Sequence, residues 1–377
     1  SGGAFDTASD LLEEMTRLGI GEALVYHRMA AEADVEKGNR RLIELLRGNL
    51  RLHPCWAMAP AVFGDLPEAS SWVRIAAENG VRAVRLFPAH SLYTLAEWSV
   101  GPICSALQSA AMPVVLDFGP GHWSERRIPW RDVKALCEAY PQLCVVVIGT
   151  TIGDMRDAVA LLTRLPNLLI ETHRFIAPDA LALAAEKGLA SQLVFGTGMP
   201  QHAGECSAAL VVSSGLEPAE LRAVASGNAR RVLGIESVSP AEGRHADLSQ
   251  VHPGLVVDVH GHYGAWERTI TPVRTPADVV KSMKRCGINK LVGSSFSAIH
   301  GEMRLGNEET AEYVRQYPDF LHGYCVINPH YPSETMEELT RCFKKNQGFV
   351  GLKFHCQLHG VQLQHAGYQE ALSYANQ

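Results

Sequence analysis

Asp10–Gly21 reads DLLEEMTRLGIG, and Asp278–Asn289 reads DVVKSMKRCGIN. The two stretches stand 268 residues apart, with Asp, Met, Arg, Gly and Ile at the same places in both. At the same offset Gly38-Asn39 faces Gly306-Asn307. Gly80–Leu86 (GVRAVRL) faces Gly348–Phe354 (GFVGLKF), which sets Arg85 opposite Lys353. Between them a strand-like segment ending at Pro60 faces one ending at Pro329, one residue out of step. Matches that recur in the same order point to a tandem duplication. A repeat of 268 residues is close to the ~250 typical of a (β/α)₈ barrel and far beyond any solenoid repeat.

The pattern inside each copy agrees. Short runs rich in Val, Ile and Leu alternate with amphipathic stretches of about a dozen residues, the βαβα signature of a parallel sheet. In the first copy strands are expected at Glu22–Tyr26, Arg51–Ala57, Ala83–Phe87, Pro113–Phe118, Cys144–Ile148, Leu168–Thr172 and Gln192–Gly196. In the second they are expected at Leu255–His260, Lys290–Ser294, Leu321–Ile327 and Val350–His355. The fold class is α/β, TIM-barrel-like, with one nearly complete barrel followed by the first half of another. Residues 1–236 form the first copy (strands two to eight). A polar linker with Pro240, Gly243 and Pro253 spans 237–253, and 254–377 form the N-terminal half of the second copy. A barrel short of one strand exposes two edges, so Leu255–His260 is expected to close the first copy. Ser1 in place of Met, and a final Tyr368–Gln377 that reads as mid-helix, suggest a chain cut at both ends.

Composition narrows the function classes. Apolar residues make up 46% and charged residues 20%, which supports a large core; the net charge of -6 and the lack of a basic stripe argue against nucleic acid. No apolar run approaches the roughly 18 residues of a membrane span. Nine cysteines without a C-x-x-C pair read as reduced thiols of a cytoplasmic protein. The partner expected is a small molecule, and a homo-oligomer is compatible with the sequence. No G-x-G-x-x-G, Walker loop or G-x-S-x-G elbow is present.

The sharpest chemical signal is Val256–Gly264, VVDVHGHYG: an apolar strand ending in Asp-x-His-x-His. Residues i and i+2 share a strand face, so His260 and His262 point together at the C-terminal rim, where barrels of this kind place their chemistry. Two neutral imidazoles suit a divalent first-row metal, zinc before others. Asp258 shares that face one step deeper and is a candidate neighbour of the ligands or of the substrate. Lys353 and His355 in Gly351-Leu352-Lys353-Phe354-His355 share a face at the end of the fourth strand and are candidates for substrate contact. Lone surface histidines are common, and His359, His300, His322 and His330 read that way. His173 reads as a rim histidine without a partner, with lining a pocket as the alternative, and Arg82, Arg85 and His90 read as groups that meet an anionic substrate or simply pair with carboxylates. His122-Trp123 reads as a loop over the barrel mouth.

Asp258, His260, His262 and Gly264, followed by Gly287-Ile288, resemble the opening D-x-H-x-H-x-G and helix of the amidohydrolase superfamily. The likeness is to the branch of metal-dependent hydrolases that includes aminocarboxymuconate-semialdehyde decarboxylase. Leu193–Pro200, with Gly227-Asn228-Ala229-x-Arg231-x-Leu233-Gly234, resembles the closing segment of that branch. The resemblance implies a metal-activated water that hydrolyses an amide, ester or lactone bond, with non-oxidative decarboxylation as a variant. It also implies a His at the end of strand five, a His at the end of strand six and an Asp after strand eight. Here these places read Asp117, Gly149-Thr150-Thr151 and Gly198. The first copy is therefore expected to lack metal and to serve as a binding or scaffold barrel. The second copy keeps the metal motif, and this stretch of chain is expected to be inactive without further ligands. The catalytic base is left unassigned.

Overall fold

The computed structural model describes residues 5, 7–119, 128–177, 179–236, 254–267, 274–344 and 348–376. The chain divides into two compact units, Ser1–His245 and Ala246–Gln377.

The first unit is a seven-stranded parallel sheet in the order β1 (Ala23–Val25), β2 (Leu52–Met58), β3 (Ala83–Leu86), β4 (Val114–Asp117), β5 (Val145–Ile148), β6 (Leu168–Glu171), β7 (Leu193–Val194). Every neighbouring pair is joined through a helical crossover, as parallel strands require. In the central strands both parities are buried. Val84, Leu86, Val114, Leu116, Val145, Val147, Leu168 and Ile170 have no exposed surface. The alternate residues Cys55, Ala83, Val115, Val146, Leu169 and Val194 form the opposite cluster, with Leu24, Tyr26 and Ile148 against it. A sheet covered on both faces is why the strands read as unbroken apolar runs rather than as alternation.

The second unit is a four-stranded parallel sheet in the order β11 (Phe349–Lys353), β10 (Leu321–Val326), β9 (Lys290–Ser295), β8 (Val257–Tyr263). The expected closure of the first barrel by Leu255–His260 is overturned. β8 is an edge of its own sheet and pairs with β9, while β1 and β7 are the edges of the other. The local β8–helix–β9 crossover satisfies the strand with its sequence neighbour, the common outcome for consecutive elements.

The same local devices recur in both units. Thr7 caps the helix Ala8–Arg17 in a capping box with Asp10, and Thr275 caps the helix Pro276–Arg285 in a capping box with Asp278. Asn39, buried, donates to Ala57 O (2.8 Å) and accepts from Ala57 N (2.9 Å). Asn307, also buried, donates to Val326 O (3.0 Å) and accepts from Val326 N (2.9 Å). Each asparagine therefore pins a helix to a strand by both backbone groups of one residue. The glycine before it makes this possible: a Cβ on Gly38 would lie 2.2 Å from Ala30 N, and one on Gly306 would lie 1.9 Å from Ala298 N. At the end of the first unit, buried Asn228 donates to Ala190 O (2.8 Å) and Leu193 O (2.7 Å), so the Gly227–Gly234 motif ties the last helix to β7.

Replacing Asn39 by Ala strands a buried N–H and C=O of Ala57, at a cost of about 2 kcal/mol or more. Hydrogen exchange will show the Ala57 amide losing protection in Asn39→Ala. Gly306→Ala, whose methyl meets backbone rather than a movable side chain, will destabilise the second unit more than Asn39→Ala destabilises the first. Denaturant unfolding followed in each unit checks the order.

Candidate functional site

In the second unit the histidine pair stands on β8. The strand carries one extra residue between Asp258 and Gly261 relative to β9, where Asp258 faces Leu291 and Gly261 faces Gly293. Simple alternation therefore does not carry Asp258 onto the face of His260. Its Oδ1 instead accepts from His260 N at 2.9 Å, which braces the bulge. Gly261 is required between the histidines, since a Cβ there would lie 2.4 Å from Leu291 Cδ1. The two imidazoles stand with centroids 5.4 Å apart at 67°.

Their environments differ. His260 is exposed, and its Nε2 lies 2.9 Å from Lys353 Nζ at the end of β11. His262 is half-buried and stacks on Phe296 at 4.6 Å. Its Nδ1 is sealed from solvent and has no partner at hydrogen-bond geometry, although the Ser294 backbone lies beside the ring and acts weakly on it. Burial first, then the neighbouring charges of Lys353 and His260, pushes the His262 imidazole down to about 4, so it is neutral at physiological pH. Burial likewise lowers Lys353 from the ordinary lysine value.

The aromatic neighbours extend this cluster. Phe296 stacks on Trp266 (5.3 Å, 20°), and Trp266 lies nearly parallel to His300 (5.2 Å, 3°). His300 is thus part of the cluster, not an isolated surface residue. His355 stands 6.3 Å from His300 and caps the helix Cys356–His359 by accepting from Leu358 N at 3.3 Å. One of its ring nitrogens is therefore committed to the backbone. His359 Nδ1 pairs with Tyr368 Oη at 2.5 Å, and its carbonyl meets His330 Nε2 at 2.7 Å, which gives both histidines structural contacts.

As a metal centre the cluster fits in kind and falls short in number. Two imidazoles, one with an unpartnered buried nitrogen, are suitable donors. Among the described residues, however, no three His, Cys, Asp or Glu side chains converge on a common point. Lys353 also sits against the His260 nitrogen that an ion would need.

The first unit has a different rim. Asp117 ends β4 and accepts from Arg85 of β3 through Nη2 at 2.6 Å and Nε at 3.1 Å. The guanidinium lies 4.2 Å from the Tyr26 ring and 5.4 Å from Phe87. Burial works against the Arg85 charge, but Asp117 and Tyr26 outweigh it and hold the group above its ordinary value. The carboxylate in the strand-five place is thus neutralised within the chain. Arg82 and His90 are exposed. His122-Trp123 lies outside the described residues.

His173 corrects the expectation of a histidine without a partner. Its Nδ1 hydrogen-bonds Glu171 Oε2, and its backbone N donates to Glu171 Oε1 at 2.8 Å. His202 packs on it at 4.9 Å. Gly198 lies directly beneath: a Cβ there would come 2.7 Å from His173 Cδ2 and 2.8 Å from His202 Cδ2. The two imidazoles fill the space that a side chain at the strand-eight position would need, which is the physical reason no Asp stands there. The trace of this arrangement in the sequence is Glu-x-His at a strand end, with Gly at 196 and 198 opposite it.

A search of curated proteins finds no match to the chain. An uncharacterised TIM-barrel protein from Bordetella bronchiseptica superposes with a TM-score of 0.51 at 18% identity, covering 61% of this chain and 83% of its own. The 5-carboxyvanillate decarboxylase of Sphingomonas paucimobilis gives 0.47 at 15% identity, covering 61% of this chain and 84% of its own. The 4-oxalomesaconate hydratase of Rhodopseudomonas palustris gives 0.47 at 15%, covering 60% of this chain and 80% of its own. Among the described residues no helix is long and apolar enough to cross a membrane. The family model described as amidohydrolase matches residues 14–235, and the chain belongs to that family.

Proposed function

We propose that the protein acts on a small molecule as a metal-dependent hydrolase of an amide, ester or lactone bond, with His260 and His262 of the second unit as ligands to a divalent ion, zinc first. The observation that carries this reading is His262: a neutral ring whose buried Nδ1 has no partner at hydrogen-bond geometry, next to a second imidazole. An unsatisfied buried nitrogen costs about 1–3 kcal/mol, and an ion would remove that cost. Two protein donors make half of a tetrahedral shell, so the full set requires groups beyond this pair. A bound ion supplies Lewis acidity and a water whose pKa falls toward ~7.

The chain's own residues do the rest. Lys353 orients the His260 ring and offers positive charge to an anionic substrate. His355 stands within reach of the same cluster as a substrate contact, and Asp258 holds the β8 bulge that presents the pair. Phe296 and Trp266 exclude water from the His262 side. Decarboxylation is a variant of this reading, since one cluster of this kind serves either reaction. We read 1–236 and 254–377 as two copies of one barrel ancestor joined by 237–253, with the metal chemistry in the second. In the first, Arg85 occupies Asp117, and Gly198 carries no carboxylate.

Metal analysis tests the assignment. The full chain, stripped with chelator and refilled with zinc, should retain metal that His260→Ala and His262→Ala lose. Unchanged zinc content in both variants rules the reading out. Lys353→Met removes the proton donor that competes for His260 Nε2, so zinc should bind more tightly and with a weaker dependence on pH. Competition against a chromogenic chelator reads both.

A further inference from the structure

We propose that the first unit carries a second, metal-independent proton-transfer site, in which His173 is a general base positioned by Glu171 and walled by His202. The geometry has the parts such a site needs. Glu171 spends both carboxylate oxygens on one residue: Oε1 accepts from the backbone N of His173 and Oε2 from its Nδ1. A carboxylate on Nδ1 fixes the tautomer and leaves the lone pair on Nε2. Nε2 makes no hydrogen bond among the described residues and faces the bare backbone of Gly198, where a Cβ would stand 3.0 Å from it, so the missing side chain leaves the space beside the lone pair.

The surroundings are built to hold this pair. The His173 and Glu171 side chains are 8% and 11% exposed, which keeps the hydrogen bond largely out of water. Glu171 lies against the bare backbone of Gly196, where a Cβ would come 2.0 Å from its Oε1, and both imidazoles lie against Gly198. Two glycines two residues apart thus make room for a carboxylate and two rings. His202 is pushed below the ordinary imidazole value by burial and then by His173 and Arg174, so a neutral ring lines the base. The site differs in kind from the histidine pair of the second unit, where no carboxylate orders the rings.

A single imidazole base working without a metal suits a small activated ester, whose leaving group departs without further assistance. His173 Nε2 takes a proton from water as the water oxygen bonds to the carbonyl carbon. The tetrahedral intermediate then expels the alcohol or phenol oxygen with the electron pair of the broken C–O bond. The imidazolium returns its proton to the leaving group or to solvent, so that ester and water become acid and alcohol.

p-Nitrophenyl acetate is the probe, with the full chain and EDTA present throughout. General-base catalysis of this kind contributes on the order of a hundredfold or more. His173→Gln should therefore lose about that much of the rate above buffer, while His90→Gln, which alters an exposed histidine, keeps it. Glu171→Gln should lower kcat by roughly tenfold or more with KM little changed, because it disturbs the tautomer rather than substrate contact. ¹⁵N NMR of the histidines should show the Nδ1–H form of His173 in the parent and a mixture in Glu171→Gln, and it also reports whether each variant is folded. The proposal is overturned if folded His173→Gln hydrolyses the ester as fast as the parent, if EDTA abolishes the activity, or if His173 carries its proton on Nε2. Loss of zinc binding at His260 and His262 would leave all three readouts unmoved, so the two assignments fail separately.

Discussion

A parallel strand of four residues turns only two side chains toward the inside of its barrel, and the second of these stands at the rim. That constraint governs the first unit. β3 spends its inner position on Ala83 and its rim position on Arg85, β4 on Val115 and Asp117, β6 on Leu169 and Glu171. The inner layer is uniformly apolar, so the charges at the rim must find partners there. Arg85 and Asp117 satisfy one another. Glu171 has no cation on a neighbouring strand to meet and turns instead to the imidazole two residues on. The pairings follow from which rim positions are adjacent: β3 and β4 are neighbours in the sheet, while β6 has the two-residue β7 beside it.

The second unit solves the same problem with a bulge. The extra residue between Asp258 and Gly261 bends β8 where the histidine pair begins. It brings two rings side by side in unlike surroundings, one in water against an ammonium and one under Phe296. Burial, with the charges of Lys353 and His260 added to it, is what keeps the His262 ring neutral.

Much of this was legible in the sequence. The strands of the first unit lie where the apolar runs place them, because a parallel sheet covered on both faces writes itself as continuous Val, Ile and Leu, whereas β8, with Val257 and Val259 exposed, runs to Tyr263, three residues past the expected end at His260. The one-residue slip between the segments ending at Pro60 and Pro329 reappears in the structure, where Asn39 grips Ala57 and Asn307 grips Val326. What escaped depends on distant pairing. A carboxylate partner is one of the two expectations for Arg85, but nothing local names Asp117, which comes 32 residues later, and Glu171-Thr172-His173 gains meaning only once Gly196 and Gly198 pass beneath it. The bulge escaped because β8 was read as regular alternation, and the pairing of β8 escaped because a sheet with an open edge invited closure by the nearest spare strand.

The edges themselves have a consequence for how the molecule behaves among other molecules. β1 offers three residues and β7 two, too short a ribbon of free amide and carbonyl groups to template a long intruding chain. Brevity at both margins limits the ladder an incoming strand could form there, with no lysine or proline on either strand.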